Sequence, residues 1–295
     1  MPPMPPVISL ALRNFWRSAP SRLGSTMTLG LLILALVAPL LRPYNPAVEQ
    51  GYLNRLQSPS LEHPLGTDGL GRDVLTAIWH GIGTSLGVSL TAVSLGLLIG
   101  LLLGLVAGYF RGMLELTIGW LTDILLAFPS ILLAIAIVTV TGPSLQSVIL
   151  AVGIIQIPIY IRLTRSMVLS LREQEFIQAV QAIGASPPYI LQQHILPAVL
   201  APLIVQATLS ISMATLEAAG LGFLGLGIRP PTPELGTMLA DAFKGGYALS
   251  APWTTLFPGL MITLMVVAFN LLGDGLRDSL NPGPLIKPAR NASAP

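Results

Sequence analysis

The chain has 295 residues, of which 53% are hydrophobic and only 9% are charged. Soluble domains carry about 25% charged residues, so this composition excludes an ordinary water-soluble protein and predicts an all-α polytopic membrane protein. The net charge of +2 rests on few groups and does not support nucleic-acid binding. Because the sequence contains no cysteine and its three histidines are far apart, we expect neither thiol chemistry nor a metal site.

Six apolar stretches with at most one charged residue each predict membrane-spanning helices, which need about 20 residues. They are residues 23–41, 85–110, 116–141, 147–161 with their continuation, 198–227 and 254–276. We expect Pro158 to kink the fourth span. The fifth ends in GLGFLGLG, and because glycine is a poor helix former we expect the backbone to leave helical form there.

The second span carries a glycine at every fourth position: Gly96, Gly100, Gly104 and Gly108, followed by Gly112. This spacing places the glycines on one face of a helix, where small residues allow another helix to approach closely. We therefore expect a helix-packing face, which is not by itself a binding site.

Two polar segments, residues 42–83 and 228–253, separate spans on what we expect to be the outer side. The first contains the run GTDGLGRD, which could hold a metal or a phosphate. The favoured interpretation is a structured loop in which Asp68, Arg72 and Asp73 cap helices and pair with each other.

The basic residues predict the orientation, because cytoplasmic segments carry an excess of Lys and Arg. If the N-terminus is inside, ten basic residues are inside and five are outside. The inner ten are Arg13, Arg17, Arg22, Arg111, Arg162, Arg165, Arg172, Arg277, Lys287 and Arg290. Both termini are therefore expected in the cytosol, and the proline-rich tail, residues 281–295, is expected to be disordered.

A short segment between the fourth and fifth spans reads EFIQAVQAIGASPPYILQQHILP, residues 175–197. Phe176, Ala179, Val180 and Ile183 have helical spacing and form one apolar stripe. Gly184 then suits a left-handed C-cap, and Ser186 with Pro187 suits the start of a second helix that Pro197 ends or kinks. An apolar stripe outside the bilayer needs a partner surface.

No ATP-binding P-loop is present, because the only lysines, Lys244 and Lys287, are followed by Gly245 and Pro288 and not by Ser or Thr. If the protein moves a solute with ATP, another subunit must bind the nucleotide.

Asp123 and Glu217 lie within predicted spans, where a charge costs a few kcal/mol and normally faces a bundle interior or water. They could contact a solute in a pathway or form interhelical hydrogen bonds, and Glu217 could also lie near the outer surface. An ion-coupled secondary transporter using both acids is one alternative. An intramembrane aspartyl protease is disfavoured, because Asp274 follows Leu271, Leu272 and Gly273, not the Gly-x-Gly run of such enzymes, and a salt bridge or cap with Arg277 explains it better.

The segment 175–197 resembles the cytosolic loop of permease subunits of bacterial ABC importers. The residues that carry this resemblance are Glu175, Gln178, Ala179, Val180, Ile183, Gly184, Leu196 and Pro197. Gln178 and Val180 depart from the usual Glu-Ala-Ala, and His194 replaces its isoleucine. The stretches HPLGTDGLGRDVLTAIWHG, FLGLGIRPPTPELGTMLADA and PWTTLFPGLMITLMVVAFNLLGDGLRDSLNP are similar to the C-type permease of dipeptide and oligopeptide importers, whose relatives also import nickel chelates and glutathione.

This resemblance implies a six-helix type I permease in the bacterial inner membrane that is not an enzyme and binds no cofactor directly. It would form half of a peptide pathway with a homologous second permease. Two cytosolic ATPase subunits would bind ATP-Mg, and an external solute-binding protein would deliver the substrate. The expected parts are residues 1–22, a first span and outer loop at 23–84, a five-helix core at 85–277 with its coupling loop at 172–197, and a tail at 278–295.

Overall fold

The structure is a computed structural model that describes residue 13 and residues 15–45 and 51–280. These residues form helices and loops, with one isolated β-bridge between Thr67 and Asp73, and the all-α prediction is confirmed. The tail 281–295, for which we expect disorder, lies outside the described residues, as do most of the segment 1–22 and residues 46–50 of the first loop.

The described helices are α1 (Ala19–Leu41), α2 (Val74–Tyr109), α3 (Met113–Ala127), α4 (Ser130–Thr141), α5 (Leu145–Arg172), α6 (Glu175–Ala182), α7 (Pro187–Ile190), α8 (Leu196–Leu224), α9 (Leu235–Lys244) and α10 (Trp253–Leu280). A 3₁₀ turn, Tyr52–Asn54, lies in the first loop, and a π-turn, Leu191–Ile195, joins α7 to α8. Within the described part of the chain, five helices are long and apolar enough to cross a membrane: α1, α2, α5, the continuous helix Pro187–Leu224 and α10.

Several of these helices begin where the sequence supplies a side-chain cap. The Ser18 hydroxyl accepts a hydrogen bond from the Ser21 amide at 3.2 Å at the start of α1. The Asp73 carboxylate accepts one from the Thr76 amide at 2.8 Å before α2. Each cap satisfies an amide that has no partner inside its helix, which sets the point where the helix begins.

The predicted third span, residues 116–141, is not one straight helix. Helices α3 and α4 meet at an angle of 92° across a break at Phe128 and Pro129. The proline keeps Phe128 in extended conformation, with φ −91° and ψ 137°, so the helix cannot continue through it. The described residues contain six candidate spans only if this bent pair is counted as one.

Helices α2 and α5 pack along the glycine face of α2. Gly96, Gly100, Gly104 and Gly108 lie against Gln156, Tyr160, Thr164 and Val168, which also recur every fourth residue. A methyl group added to Gly104 would lie 2.5 Å from Cβ of Thr164 and 3.0 Å from the backbone oxygen of Ile161. The two backbones are therefore as close as glycine permits.

The prediction that the chain leaves helical form at 220–227 is wrong for its first half. Helix α8 continues through Gly220 and Gly222 and ends only at Gly225, which has φ +85°. Gly222 packs against the start of α9, near the amide nitrogen of Thr237. Packing against α9 outweighs the low helix propensity of glycine, which is only about 1 kcal/mol per residue.

The loop between α1 and α2 and the loop between α8 and α10 are joined at one end of the bundle. The Trp253 indole donates to the Thr67 carbonyl at 3.0 Å, and the Tyr44 hydroxyl donates to the Pro231 carbonyl at 2.7 Å. Arg72, only 2% exposed, donates to Asp68 at 2.6 Å and lies 3.7 Å from Asp241 of α9. Burial by itself lowers the pKa of Arg72, but Asp68 and Tyr44 together raise it by more, so the pKa is raised above its usual value.

Glu234 fastens α9 to the bundle from within. Its carboxylate accepts hydrogen bonds from the amides of Gly236 and Thr237 at 2.9 and 2.7 Å, and from the Ser85 hydroxyl of α2 at 3.4 Å. Burial raises the pKa of the Glu234 carboxyl, and the amide hydrogen bonds oppose that shift. The residue is therefore a buried helix cap that also contacts a neighbouring helix.

The glycine face gives a matched pair of variants on α2. We expect Gly104→Ala to lower Tm of the purified protein in detergent, because overpacking costs about 1–3 kcal/mol. Gly87→Ala should leave Tm unchanged or raise it, because nothing lies within 4 Å of the added methyl group and alanine favours helix. Thermal unfolding followed by tryptophan fluorescence measures both, and equal Tm values for the two variants would contradict close packing at Gly104.

Candidate functional site

The segment 172–197 is attached to the end of the bundle opposite the two joined loops. Arg172, the last residue of α5, donates to the backbone oxygen of Tyr109 at 2.8 Å and lies 5.5 Å from the Tyr109 ring centroid. Glu173 forms an ion pair with Arg111 at 2.5 Å. These contacts connect the start of the segment to the end of α2, while α6 and α7 project beyond the bundle.

A Schellman motif closes α6, as the glycine in this position predicts. Gly184 has φ +85°, and its amide donates to the Gln181 carbonyl at 3.0 Å. The Ala185 amide donates to the Val180 carbonyl at 3.3 Å, which completes the motif. Ser186 is extended and Pro187 occupies the first turn of α7, so the chain reverses direction within a few residues.

Pro197 does not end the second helix. The chain stays helical from Pro187 to Leu224, and the π-turn Leu191–Ile195 lies directly before Pro197. Proline lacks the amide hydrogen that an α-helix needs at this position, and a π-turn is one way for a helix to accommodate the lost hydrogen bond. The segment is therefore continuous with the membrane-spanning α8.

The residue that secures α6 is Ile177, which lies outside the predicted stripe. Ile177 is fully buried, as are Ile190 of α7 and Ile195 of the π-turn. The helical spacing of Phe176, Ala179, Val180 and Ile183 could not reveal this, because the turn at Gly184 decides which face of α6 meets α7.

The predicted stripe is instead mostly exposed in the single chain. Ile183 is 84% exposed and Phe176 is 46% exposed, while Val180 is half-buried. The rings of Phe176 and Tyr189 lie edge-on to His194, with centroid distances of 6.3 and 5.8 Å. Together Phe176, Ile183, Tyr189 and His194 form an apolar and aromatic surface, which we call the hairpin surface.

The other residues of this segment that the sequence predicts to be functional are mostly exposed. Glu175, Gln178, Ala179, Gly184 and Pro197 are exposed, and Leu196 is half-buried. The Gln178 amide donates to the Glu173 backbone oxygen at 3.2 Å, so the residue that stands in place of a glutamate contributes to the local fold.

Asp123 and Glu217 are not brought together. Asp123 is 68% exposed on its side chain and forms an ion pair with Arg162 at 2.8 Å. Glu217, half-buried on α8, accepts a hydrogen bond from the Gln156 amide at 3.4 Å and also interacts with the Ser130 side chain. The two acids therefore have different surroundings. Asp123 lies between α3 and α5, and Glu217 lies between α4, α5 and α8.

A groove of about 810 Å³ lies between α3 and α5. Its polar side chains include Asp123 paired with Arg162, and Glu115 paired with Arg165, whose Nε lies 3.1 Å from the carboxylate. Because these charges neutralise each other in pairs, the groove offers no excess charge to a solute.

Asp274 has none of the geometry of a catalytic acid. It is exposed near the end of α10 and forms no ion pair with Arg277, so the salt bridge, one of the two predicted roles, is absent. Among the residues that the structure describes, no group of three His, Asp or Glu side chains is arranged to hold a metal ion.

Comparison with known proteins adds a family to this geometry. A family model described as "Binding-protein-dependent transport system inner membrane component" matches residues 100–285. The dipeptide transport system permease protein DppC of Alkalihalophilus pseudofirmus is 49% identical over 259 residues, which cover 88% of this chain and 84% of that protein. The di/tripeptide transport system permease protein DppC of Pseudomonas aeruginosa is 44% identical over 280 residues, covering 92% of each.

Two further similarities concern substrate range and fold. The glutathione transport system permease protein GsiD of Escherichia coli O157:H7 is 43% identical over 270 residues, covering 92% of this chain and 88% of that protein. A solved structure of the MetNI methionine ABC transporter in an inward-facing conformation matches with a TM-score of 0.57 at 20% identity, covering 70% of this chain and 95% of the matched chain. This likeness confirms the predicted permease fold. The chain belongs to the family of inner membrane components of binding-protein-dependent transport systems.

Proposed function

We propose that the chain is the permease subunit of an ATP-driven importer of small peptides and forms half of the translocation pathway. The relatives at 43–49% identity are named as permeases for dipeptides, di/tripeptides and glutathione, and all of these compounds are short peptides. Glutathione is the second candidate substrate, since one relative of comparable identity is named for it.

The observation that carries this proposal is the hairpin surface on a membrane protein that has no P-loop. Phe176 and Ile183 are exposed on a Schellman-closed hairpin that continues into a span. Burying such surface is worth about 25 cal/mol per Å², so a partner that covers it gains affinity. We propose that this partner is a separate ATPase subunit, and that the segment 172–197 is the coupling loop.

Movement of the coupling loop has a direct mechanical path to the membrane. Helix α7, the π-turn and α8 form one continuous helix of 38 residues, Pro187–Leu224. Arg172 and Glu173 attach the other side of the loop to the ends of α5 and α2. A push from the ATPase at the hairpin would therefore tilt α5 and α8, and with them the pathway.

The charge distribution supports an orientation with both termini and the coupling loop in the cytosol. Ten basic residues, including Arg111 and Arg172, belong to the segments on the coupling-loop side, and five, including Arg42 and Arg72, belong to those on the side of the joined loops. We divide the chain accordingly into an N-terminal segment at 1–22, a first span and outer loop at 23–84, a core at 85–277 and a tail at 278–295.

The remaining partners follow from the family and the two ends of the bundle. ATP-Mg would be bound by two ATPase subunits on the cytosolic side, and a homologous second permease would complete the pathway. The joined outer loops, made rigid by the buried Arg72 and Glu234, would receive the solute-binding protein. The ion-coupled alternative is weakened because Asp123 is already paired with Arg162 and does not meet Glu217.

Reconstitution tests the proposed function. In proteoliposomes holding the chain with its second permease and ATPase subunits, we expect uptake of a radiolabelled dipeptide that requires Mg-ATP and the loaded solute-binding protein. Unlabelled glutathione in excess tests the second candidate by competition. Uptake driven by an ion gradient in vesicles that hold this chain alone would contradict the proposal and favour a secondary transporter.

The hairpin surface predicts a specific loss of affinity. Ile183→Ala removes about three carbon atoms from the proposed interface, which costs about 2 kcal/mol, or roughly thirtyfold in ATPase binding. Because Ile183 is 84% exposed, the permease itself should unfold at an unchanged Tm. Leu249→Ala is the matched control, since Leu249 is 96% exposed in the loop between α9 and α10. Binding of solubilised permease to immobilised ATPase measures both, and equal affinities would contradict the docking assignment.

Two substitutions at Gly184 distinguish the need for its left-handed backbone conformation from the need for a small residue at a contact. We expect Gly184→Val to abolish uptake while the protein still inserts, because a β-branched residue is strained at φ +85° by about 1–3 kcal/mol. Gly184→Asn should retain most uptake, since asparagine tolerates this conformation and nothing lies within 4 Å of the added carbon. Normal ATP-dependent uptake by the valine variant would contradict the coupling role of the turn.

A further inference from the structure

Glu217 is a half-buried acidic residue within the spans for which the described residues provide no ion-pair partner, whereas Asp274, which also lacks one, is exposed near the end of α10. Asp123 is paired with Arg162 and Glu115 with Arg165, whereas in the described residues no ion pair includes Glu217. A carboxylate at membrane depth is costly unless it faces water or a cation, and such residues commonly mark substrate pathways. The described residues of this chain therefore supply no cation to Glu217.

The surroundings of Glu217 place it well inside the membrane-spanning part. Its hydrogen-bond partner Gln156 is eleven residues after the first residue of α5, Leu145, which corresponds to about 16 Å along the helix. Ser130, which lies near Glu217, is an exposed residue at the start of α4, directly after the break at Phe128 and Pro129. Glu217 is therefore half-buried and close to the exposed start of α4, where α3 and α4 meet at 92°.

The polar atoms around Glu217 include more acceptors than donors. Gln156 is 1% exposed, and its Nε2 donates to Glu217 at 3.4 Å, but its Oε1 has no hydrogen-bond partner in the described part of the chain. A buried carbonyl oxygen without a partner costs about 1–3 kcal/mol until a donor reaches it. With the Glu217 carboxylate and the Ser130 hydroxyl, the site suits a group that carries several N–H donors and a positive charge.

We infer that the Glu217 carboxylate binds the protonated α-amino group of the peptide, by accepting hydrogen bonds from it, while the peptide crosses the membrane. Gln156 acts as a positioning residue that holds the carboxylate. The inference rests on the proposed function, because it assumes that a peptide moves past this face. A primary ammonium group supplies three N–H donors and one positive charge, which match the unpaired carboxylate and the one acceptor without a partner, Gln156 Oε1. A basic side chain of the second permease has related chemistry, and the experiment distinguishes the two sources.

The test compares peptides with and without the amine in the fully assembled transporter. We expect Glu217→Gln to lower kcat/KM for a free dipeptide by roughly tenfold, which is the loss of one charge-assisted hydrogen bond. The same variant should leave uptake of the N-acetylated dipeptide at the wild-type rate, and Glu217→Asp should restore part of the free-peptide activity. Since each peptide is compared between wild type and variant, selection by the solute-binding protein cancels.

Two results would overturn the inference. If Glu217 pairs with a basic residue of the second permease, Glu217→Gln lowers uptake of both peptides by the same factor. If the residue has no role in transport, uptake of neither peptide changes. Failure of the proposed function looks different, because the wild-type assembly then shows no ATP-dependent peptide uptake at all.

Cysteine labelling gives a second measurement that does not need uptake of the acetylated peptide. The chain contains no cysteine, so Glu217→Cys introduces a single thiol. We expect a water-soluble methanethiosulfonate reagent to modify it during ATP turnover, and a transported dipeptide to slow the reaction. Ala214→Cys on the same helix is the control, because Ala214 is fully buried and should not react. Absence of labelling at position 217 in every state would overturn the inference.

Discussion

The close approach of α2 and α5 is the contact on which the other helices depend. In a bilayer, apolar side chains gain nothing by leaving lipid for protein, so helices associate where small residues let backbones touch. The glycine face from Gly96 to Gly108 provides such a surface, and the methyl group of alanine at Gly104 would already be too large. With α5 fixed against α2, its last residue Arg172 reaches Tyr109, and its polar Gln156 reaches Glu217 of α8.

Charged groups at the two ends of this helix pair serve different purposes. At one end, buried charges such as Arg72 and Glu234 make the loops rigid by joining α2, α9 and the first loop. At the other end, the ion pair of Arg111 with Glu173 leaves the α6–α7 hairpin projecting, with its apolar residues uncovered. The end with the joined loops therefore has its charges buried and paired, whereas the hairpin end exposes apolar residues that require a partner.

The acidic residues of the membrane-spanning part differ in whether they form an ion pair with an arginine. Asp123 and Glu115 of α3 form ion pairs with arginines of α5. These ion pairs hold α3 against α5 on one side of the 92° bend. Among the described residues, Glu217 accepts a hydrogen bond from the Gln156 amide, and this neutral partner leaves the charge of the carboxylate uncompensated. The sequence does not show this difference, because Asp123 and Glu217 are each a single carboxylate in an apolar run.

The sequence by itself determined the all-α membrane class, the turn at Gly184, the family, and the approximate positions of six predicted spans, five of which are single helices in the described residues. These depend on local composition and spacing: runs of about 20 apolar residues form helices in lipid because every backbone group must be satisfied within the segment. Tertiary structure alone decided that α8 continues through Gly222 and that Ile177 rather than the predicted stripe is buried. It also decided that Asp123 meets Arg162 while Glu217 meets Gln156. Each of these outcomes depends on which helix faces which, and residues far apart in the chain set that arrangement.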